Sequence, residues 1–123
     1  MKKAVVIGGT GATGRKLVQQ LLSSAEFQTV TSIGRRPVLN GNGHKKLNDV
    51  VINSMSQLHE TRKFWNGNDV FFNCIGTTRK KAGSAKQFVD IELGISRLAA
   101  RMASEASIPQ ASVCLLYTSD AAD

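Results

Sequence analysis

Glycines stand at positions 8, 11 and 14, with Gly9, Thr10, Ala12 and Thr13 between them. An apolar, β-branched run, residues 4–7, leads into them, and residues 15–22 follow with apolar side chains at helical spacing. A strand, a tight turn and a helix start, in that order, build a site for a diphosphate. Gly8 lets the chain turn off the strand. Gly11 lets its backbone approach phosphate oxygens with no side chain between, and Gly14 lets the helix pack closely. The first amides of such a helix lack intrahelical acceptors and carry the positive end of its dipole, so they favour a bound anion. The expected ligand is the pyrophosphate of a dinucleotide.

A second group follows the next apolar run, about 20 residues beyond the glycine turn, where Arg35 and Arg36 are adjacent. Proteins that bind NAD usually carry an acid at this place, for the ribose hydroxyls. Arginine instead suits a 2′-phosphate through its paired donors, and an acid there would repel it. No Asp or Glu lies between Glu26 and Asp49. The expected cofactor is therefore NADP(H) rather than NAD. Asn53 and Ser54, after a third strand, can hydrogen-bond an adenine edge. Gly76, Thr77 and Thr78, after a fourth, are small enough to admit the nicotinamide ribose and the pyrophosphate.

The elements that must position these residues alternate strand and helix, the pattern of an α/β fold with a parallel sheet. Strands are expected at 4–7, 30–33, 49–52 and 70–75. Leu17, Val18, Leu21 and Leu22 form the buried stripe of the first helix. A helix from about Ser56 to Trp65 is anchored by Leu58 and Trp65. Phe88, Ile91, Ile95, Leu98 and Met102 recur at three and four residues, marking a long amphipathic helix that Pro109 stops. In the doubly wound order the first strand is central, and ligands bind beyond the carboxyl ends of the strands. Residues 8–14, 34–36, 53–54 and 76–78 would all lie in that one crevice.

Length and composition bound the alternatives. The 123 residues suit one domain, with 41% hydrophobic and 20% charged residues, ordinary for a globular protein. No apolar run approaches the ~20 residues of a membrane helix, and no membrane partner is expected. The run after Lys2 and Lys3 ends at the Gly8–Gly9 turn, too short for a signal peptide, so a cytoplasmic protein is expected. Cys74 and Cys114 make neither a disulfide framework nor a metal cluster. Cys74, within an apolar strand, reads as a buried structural residue. His44 and His59 fall on polar segments and read as surface residues. The formal charge of +7 gathers at Arg35-Arg36, Lys45-Lys46 and Arg79-Lys80-Lys81. No aromatic interleaving or helix-turn-helix pattern accompanies it, so nucleic acid is not the expected partner.

Three stretches taken together carry a more specific likeness: Ile-Gly-Gly-Thr-Gly-Ala-Thr-Gly-Arg (7–15), Ile-Gly-Arg-Arg (33–36) and Gly-Thr-Thr-Arg-Lys-Lys-Ala-Gly (76–83), followed by Phe88-Val89-Asp90. In that order they resemble the atypical short-chain dehydrogenase/reductases, in the oxidoreductase branch related to the human Tat-interactive protein. The likeness covers residues 3–112. It implies a Rossmann fold that binds NADPH, with arginines on the 2′-phosphate. Asn53 stands where relatives often have Asp, a change that still permits adenine contact. The wider family continues with a Tyr-x-x-x-Lys helix, whose Tyr donates a proton and whose Lys lowers the Tyr pKa and holds the ribose. The only tyrosine here is Tyr117, and position 121 is alanine. No catalytic residue is assigned, and the chain alone is expected to be inactive.

Residues 114–123 resemble, codon by codon, a translated transposase mosaic-end adaptor of the kind used in sequencing libraries. The alternative is a genuine strand over 113–117, which its apolar residues would suit. On the first reading residues 1–113 are an incomplete NAD(P)-binding Rossmann domain, the N-terminal part of a doubly wound parallel sheet truncated after about four strands, and 114–123 are a non-native tail. The fourth strand, Val-Phe-Phe-Asn-Cys-Ile, would then be an exposed apolar edge. The expected function is the NADP(H)-binding half of an oxidoreductase-like protein that moves hydride to or from a carbonyl or alcohol. The alternative is a non-catalytic, NADP(H)-responsive regulatory or protein-interaction module. The substrate or protein partner of the full-length parent is not legible.

Overall fold

The computed structural model describes residues 1–38, 44–75 and 85–113, with backbone alone for 85–92 and 113. The glycines of the turn meet the sheet because β1 (Lys2–Ile7) is its central strand. It pairs in parallel with β2 (Phe27–Gly34) on one side and β4 (Val70–Asn73) on the other. Outside these lie β3 (Leu47–Val51) and β5 (Gln110–Val113), which complete a five-stranded sheet ordered β3-β2-β1-β4-β5. Ile7 is opposite both Ile33 and Asn73, so β1, β2 and β4 end level. Whatever follows each strand therefore meets at one edge.

Burial on both faces explains why β1 reads as a continuous apolar run rather than an alternating one. Ala4 and Val6 pack with Val30 and Val70 under Val18, Leu21 and Leu22 of α1 (Ala12–Ser23). Val5 and Ile7 face the other way, toward Leu58, Trp65 and Phe71 and toward Ala99, Met102 and Ala103 of α2 (Ala85–Glu105). Val18, Leu21 and Leu22 of α1 and Ile95, Leu98 and Met102 of α2 lie in these layers as their spacing implies, while the side chains of Phe88 and Ile91 lie outside the described residues. Among the described residues no helix is long and apolar enough to cross a membrane.

Several local features depart from the sequence-based expectations. Met55–Phe64 forms a helix where one is expected, but a 3-10 helix. Its buried residues Leu58 and Thr61 are three apart, which matches a three-residue turn better than a 3.6-residue one. Strands β1, β2 and β3 begin earlier than expected, at Lys2, Phe27 and Leu47, and β4 ends earlier, at Asn73.

The long helix ends before Pro109 can act. Ser107 adopts φ 57°, its amide donates to Ser104 O, and the Ile108 amide donates to Ala103 O, both at 3.0 Å. That pair of bonds is a Schellman cap, and Ile108 packs into the same apolar cluster as Ala103.

Strand β4 is also not an open edge. Val70, Phe71, Phe72 and Asn73 pair in register with Gln110, Ala111, Ser112 and Val113. This fifth strand ends at Val113, where the 113–117 run begins, and only Val113 in it is β-branched. Its polar residues suit the edge it occupies, since such residues discourage pairing with another chain. Residues 114–123, including Cys114, Tyr117, Thr118 and Ser119, lie outside the described residues.

Candidate functional site

The chain leaves β1 at Gly8 with φ 79°, a left-handed conformation that glycine adopts without strain. A Cβ at Gly8 would also meet the backbone of β4's end, 2.5 Å from Cys74 C and 2.6 Å from Ile75 N. Gly14 lies buried where α1 crosses the turn, and a Cβ there would run into the Gly8 carbonyl and approach Gly9 Cα to 2.9 Å. Two of the three spaced glycines are thus required by packing around the turn. Gly11 differs: a Cβ there would have nothing nearer than Gly8 O at 3.8 Å. Among the described residues the space beside it is open, as close approach of a phosphate would need.

Helix α1 starts on that turn. Gly11 is its N-cap and offers no side-chain acceptor, the first turn carries no acid, and the first backbone bond runs from Arg15 N to Gly11 O at 2.8 Å. The amides of Ala12, Thr13 and Gly14 find no hydrogen-bond acceptor among the described residues. Three donors at the positive end of a twelve-residue helix, beside an uncluttered glycine, fit a diphosphate. Gly9 is buried, with its α-carbon face against Val38 Cγ1, Ser32 Oγ and Val18 Cγ2. Thr10, Ala12 and Thr13 are exposed or half-buried on the turn.

Arg35 and Arg36 leave β2 at the same edge and are exposed. Their turn is tied to β3 at both ends. The Gly34 carbonyl accepts from the Ile52 amide at 2.9 Å, and the Val38 amide faces both carboxylate oxygens of Asp49 at 3.2 and 3.4 Å. Burial raises the pKa of Asp49 above its ordinary 3.8, and the Val38 hydrogen bond works against that rise. The role of Asp49 escaped sequence reading, because nothing in a lone Asp on a strand announces a partner eleven residues back.

Asn53 and Ser54 are exposed beyond the end of β3. Ser54 is occupied as the cap of the 3-10 helix: its Oγ accepts from the Ser56 amide at 3.2 Å. Gln57 Oε1 in turn accepts from the amides of Ser54 and Asn53 at 3.3 and 3.1 Å. The Ser-x-x-Gln spacing was a legible sign of this capping box. Gly76, Thr77 and Thr78 lie outside the described residues. The strand before them is closed by Asn73, buried, whose Nδ2 donates to Ser96 Oγ of α2 at 2.9 Å and whose Oδ1 accepts from the Ile75 amide at 3.0 Å.

Other candidates fall away from this edge. A groove of about 590 Å3, lined among others by Lys2, Phe27, Val70, Phe72 and Gln110, sits by the starts of the strands, at the end of the sheet opposite the glycine turn. His44 and His59 are exposed and Cys74 is buried. Among the described residues no three His, Cys, Asp or Glu side chains gather as a metal site would need.

A central parallel strand, a glycine turn into a helix N-terminus, and a reversal of strand order at that point define a doubly wound dinucleotide-binding fold of the Rossmann type. Solved structures share it. A putative epimerase from Bacteroides thetaiotaomicron matches with a TM-score of 0.69 at 20% identity, over 91% of this chain and 46% of that one. A Rossmann-fold NAD(P)-binding family protein from Shigella flexneri matches with a TM-score of 0.62 at 13% identity, over 90% of this chain and 50% of that one.

Sequence relatives narrow the class. Protein FMP52, mitochondrial, from Debaryomyces hansenii is 37% identical over 106 residues, 85% of this chain and 46% of its own length. Protein HTATIP2 from Rattus norvegicus is 36% identical over 92 residues, 74% of this chain and 37% of its own length. No protein-family model matches the chain. The chain belongs with the atypical short-chain dehydrogenase/reductases, as its three motif stretches imply. It spans about half the length of the curated relatives it matches.

One expectation is overturned. The relatives from Debaryomyces hansenii, Candida albicans and Meyerozyma guilliermondii are named as mitochondrial proteins, which points away from the cytoplasm. The cytoplasmic expectation rested on the lack of a signal-peptide core and of a membrane span, and an absence of those signals carries no address.

Proposed function

We propose that the chain is the NADP(H)-binding part of a mitochondrial oxidoreductase of the short-chain dehydrogenase/reductase type. One observation carries this reading: the arginine turn after β2 and the unaccepted amides at the start of α1 lie at the same end of adjacent strands. A dinucleotide placing its pyrophosphate on the amides of Ala12, Thr13 and Gly14 runs its adenosine ribose toward β2. There Arg35 and Arg36 favour a 2′-phosphate over free hydroxyls. Asn53, together with Gly76, Thr77 and Thr78, completes the proposed set, with Ser54 reserved for capping. The name of the Shigella flexneri protein supports a nicotinamide dinucleotide, and the names of the yeast relatives support the compartment.

The chemistry such a cofactor supplies is hydride transfer to or from a carbonyl or alcohol carbon. The described residues of this chain bind and orient the dinucleotide, and the glycine turn keeps side chains out of the way of its phosphates.

The test is a titration of the purified protein with NADPH and with NADH, followed by nicotinamide fluorescence and by melting temperature. The expected preference for NADPH is about tenfold or more, and an Arg35→Ala/Arg36→Ala double variant should bring the two affinities together. Ligand at about 100 times its Kd adds roughly 2.7 kcal/mol to the folded state, a readily measured rise in melting temperature. Equal affinity for the two cofactors in the unaltered chain would sink the NADP(H) assignment. No thermal shift with either would sink the dinucleotide site.

A further inference from the structure

The Arg35–Arg36 turn has a built-in anchor on the neighbouring strand. Both guanidinium groups extend from an exposed loop, and long side chains on a loose loop lose much of their binding power to conformational entropy. Pro37, the next residue, has no N–H to anchor with. The first amide after the arginines that can hold the turn is that of Val38, and it points at both oxygens of Asp49, at 3.2 and 3.4 Å. The other end is held by Gly34 O, which accepts from Ile52 N at 2.9 Å. The turn is thus bracketed by two hydrogen bonds, one to β3 and one to the residue just after it, of which only the Asp49 bond uses a side chain.

Val38 connects this bracket to the glycine turn. Its side chain is 1% exposed and packs in the same cluster as Val18 of α1. Its Cγ1 stands 3.0 Å from where a Cβ on Gly9 would be. A shift of Val38 therefore moves the arginines relative to the phosphate loop, changing the spacing between the two halves of a dinucleotide site.

We propose that Asp49 is a positioning residue for recognition of the 2′-phosphate, acting through the Val38 amide to hold the Arg35–Arg36 turn at a fixed distance from the glycine turn. The proposal rests on the NADP(H) reading above. A side chain that accepts hydrogen bonds but carries no charge should serve nearly as well, since the task is acceptance from one amide.

The experiment compares the unaltered chain with Asp49→Ala, Asp49→Asn and Asp49→Leu, measuring affinity for NADPH and NADH and amide hydrogen exchange at Val38. Asp49→Leu removes the acceptor while filling the space, so a fold lost through a cavity in Asp49→Ala does not end the test. Removing the acceptor should weaken NADPH binding by about tenfold, the worth of one ordinary hydrogen bond, with NADH changed by less than about twofold. Exchange at Val38 should quicken in both acceptor-less variants, and Asp49→Asn should restore both readouts.

If Asp49→Leu weakens NADPH and NADH equally, or leaves Val38 exchange unchanged, the positioning role is overturned while the NADP(H) reading stands. If the unaltered chain does not prefer NADPH, that reading fails and this inference fails with it.

Discussion

The carbonyl oxygen of Gly8 occupies the place that a Cβ on Gly14 would need. The turn and the first turn of α1 are therefore in backbone contact, and that contact aims the helix N-terminus across the end of β1. Substitutions at the three spaced glycines should consequently separate packing from binding. Gly8→Ala adds a methyl 2.5 Å from Cys74 C at φ 79°, and should cost about 2 kcal/mol or more in urea unfolding. Gly14→Ala should cost a similar amount. Gly11→Ala meets open space, so its cost should stay near the ~1 kcal/mol of a poor N-cap. Its affinity for NADPH should nevertheless fall by about tenfold or more. A Gly11→Ala protein with unchanged affinity would show that the open space beside Gly11 is not where phosphate sits.

The pH dependence of Asp49 has an unusual sign for a hydrogen-bonded carboxylate. Burial raises its pKa above 3.8, outweighing the Val38 amide. A raised pKa means the folded state binds the proton more tightly than the unfolded chain. The stabilising contribution is full below pH ~3.8 and is lost as pH rises through the raised value. Asp49→Asn has no such titration. In melting curves between pH 3 and pH 7, the unaltered chain should gain on Asp49→Asn as pH falls. An Asp49→Asn protein that instead gains on the unaltered chain at low pH would mean the Val38 bond, not burial, dominates.

How much of this was legible in the sequence follows from how local each signal is. The glycine turn, the central strand and the arginine pair are read from neighbours within a few residues, and the apolar stripes of both helices from their periodicity. Leu58 and Trp65 are buried as their spacing implied. Strand β5 was hidden because Gln110 and Ser112 look like loop, and what makes them strand is the register offered by Val70 and Phe72. The clasp between Asp49 and Val38 was hidden for the same reason: it ties the turn after β2 to β3 through a side chain, and no spacing rule predicts it. Pro109 was a misleading stop signal, since Ser107 had already closed the helix.

Asn73 should prove a structural hinge between β4 and α2. It is 4% exposed and satisfied on both sides, by Ser96 and by the Ile75 amide. Asn73→Ala strands that amide and the Ser96 hydroxyl, a cost of about 1–3 kcal/mol. A double-mutant cycle with Ser96→Ala should return a coupling of about 0.5–1.5 kcal/mol, because each single change already removes the shared bond. Additive effects of the two substitutions would show that the bond between β4 and α2 contributes nothing of its own.

Ser107 offers a substitution in the opposite direction. It holds φ 57° at the residue after the helix's C-cap, while its amide and that of Ile108 satisfy the last carbonyls of α2. A side chain in the left-handed region costs about 1 kcal/mol that glycine does not incur. Against this, Ser107→Gly frees the unfolded chain by roughly half as much or more. The net effect should be a gain of a few tenths of a kcal/mol, at most about half a kcal/mol, seen as a higher urea midpoint at constant slope. Because the cap lies just before β5, the gain should also slow amide exchange at Ala111 and Ser112, which pair with Phe71 and Phe72. A Ser107→Gly chain that is less stable, with faster exchange in β5, would mean that the serine hydroxyl and not the backbone geometry holds this end of the helix.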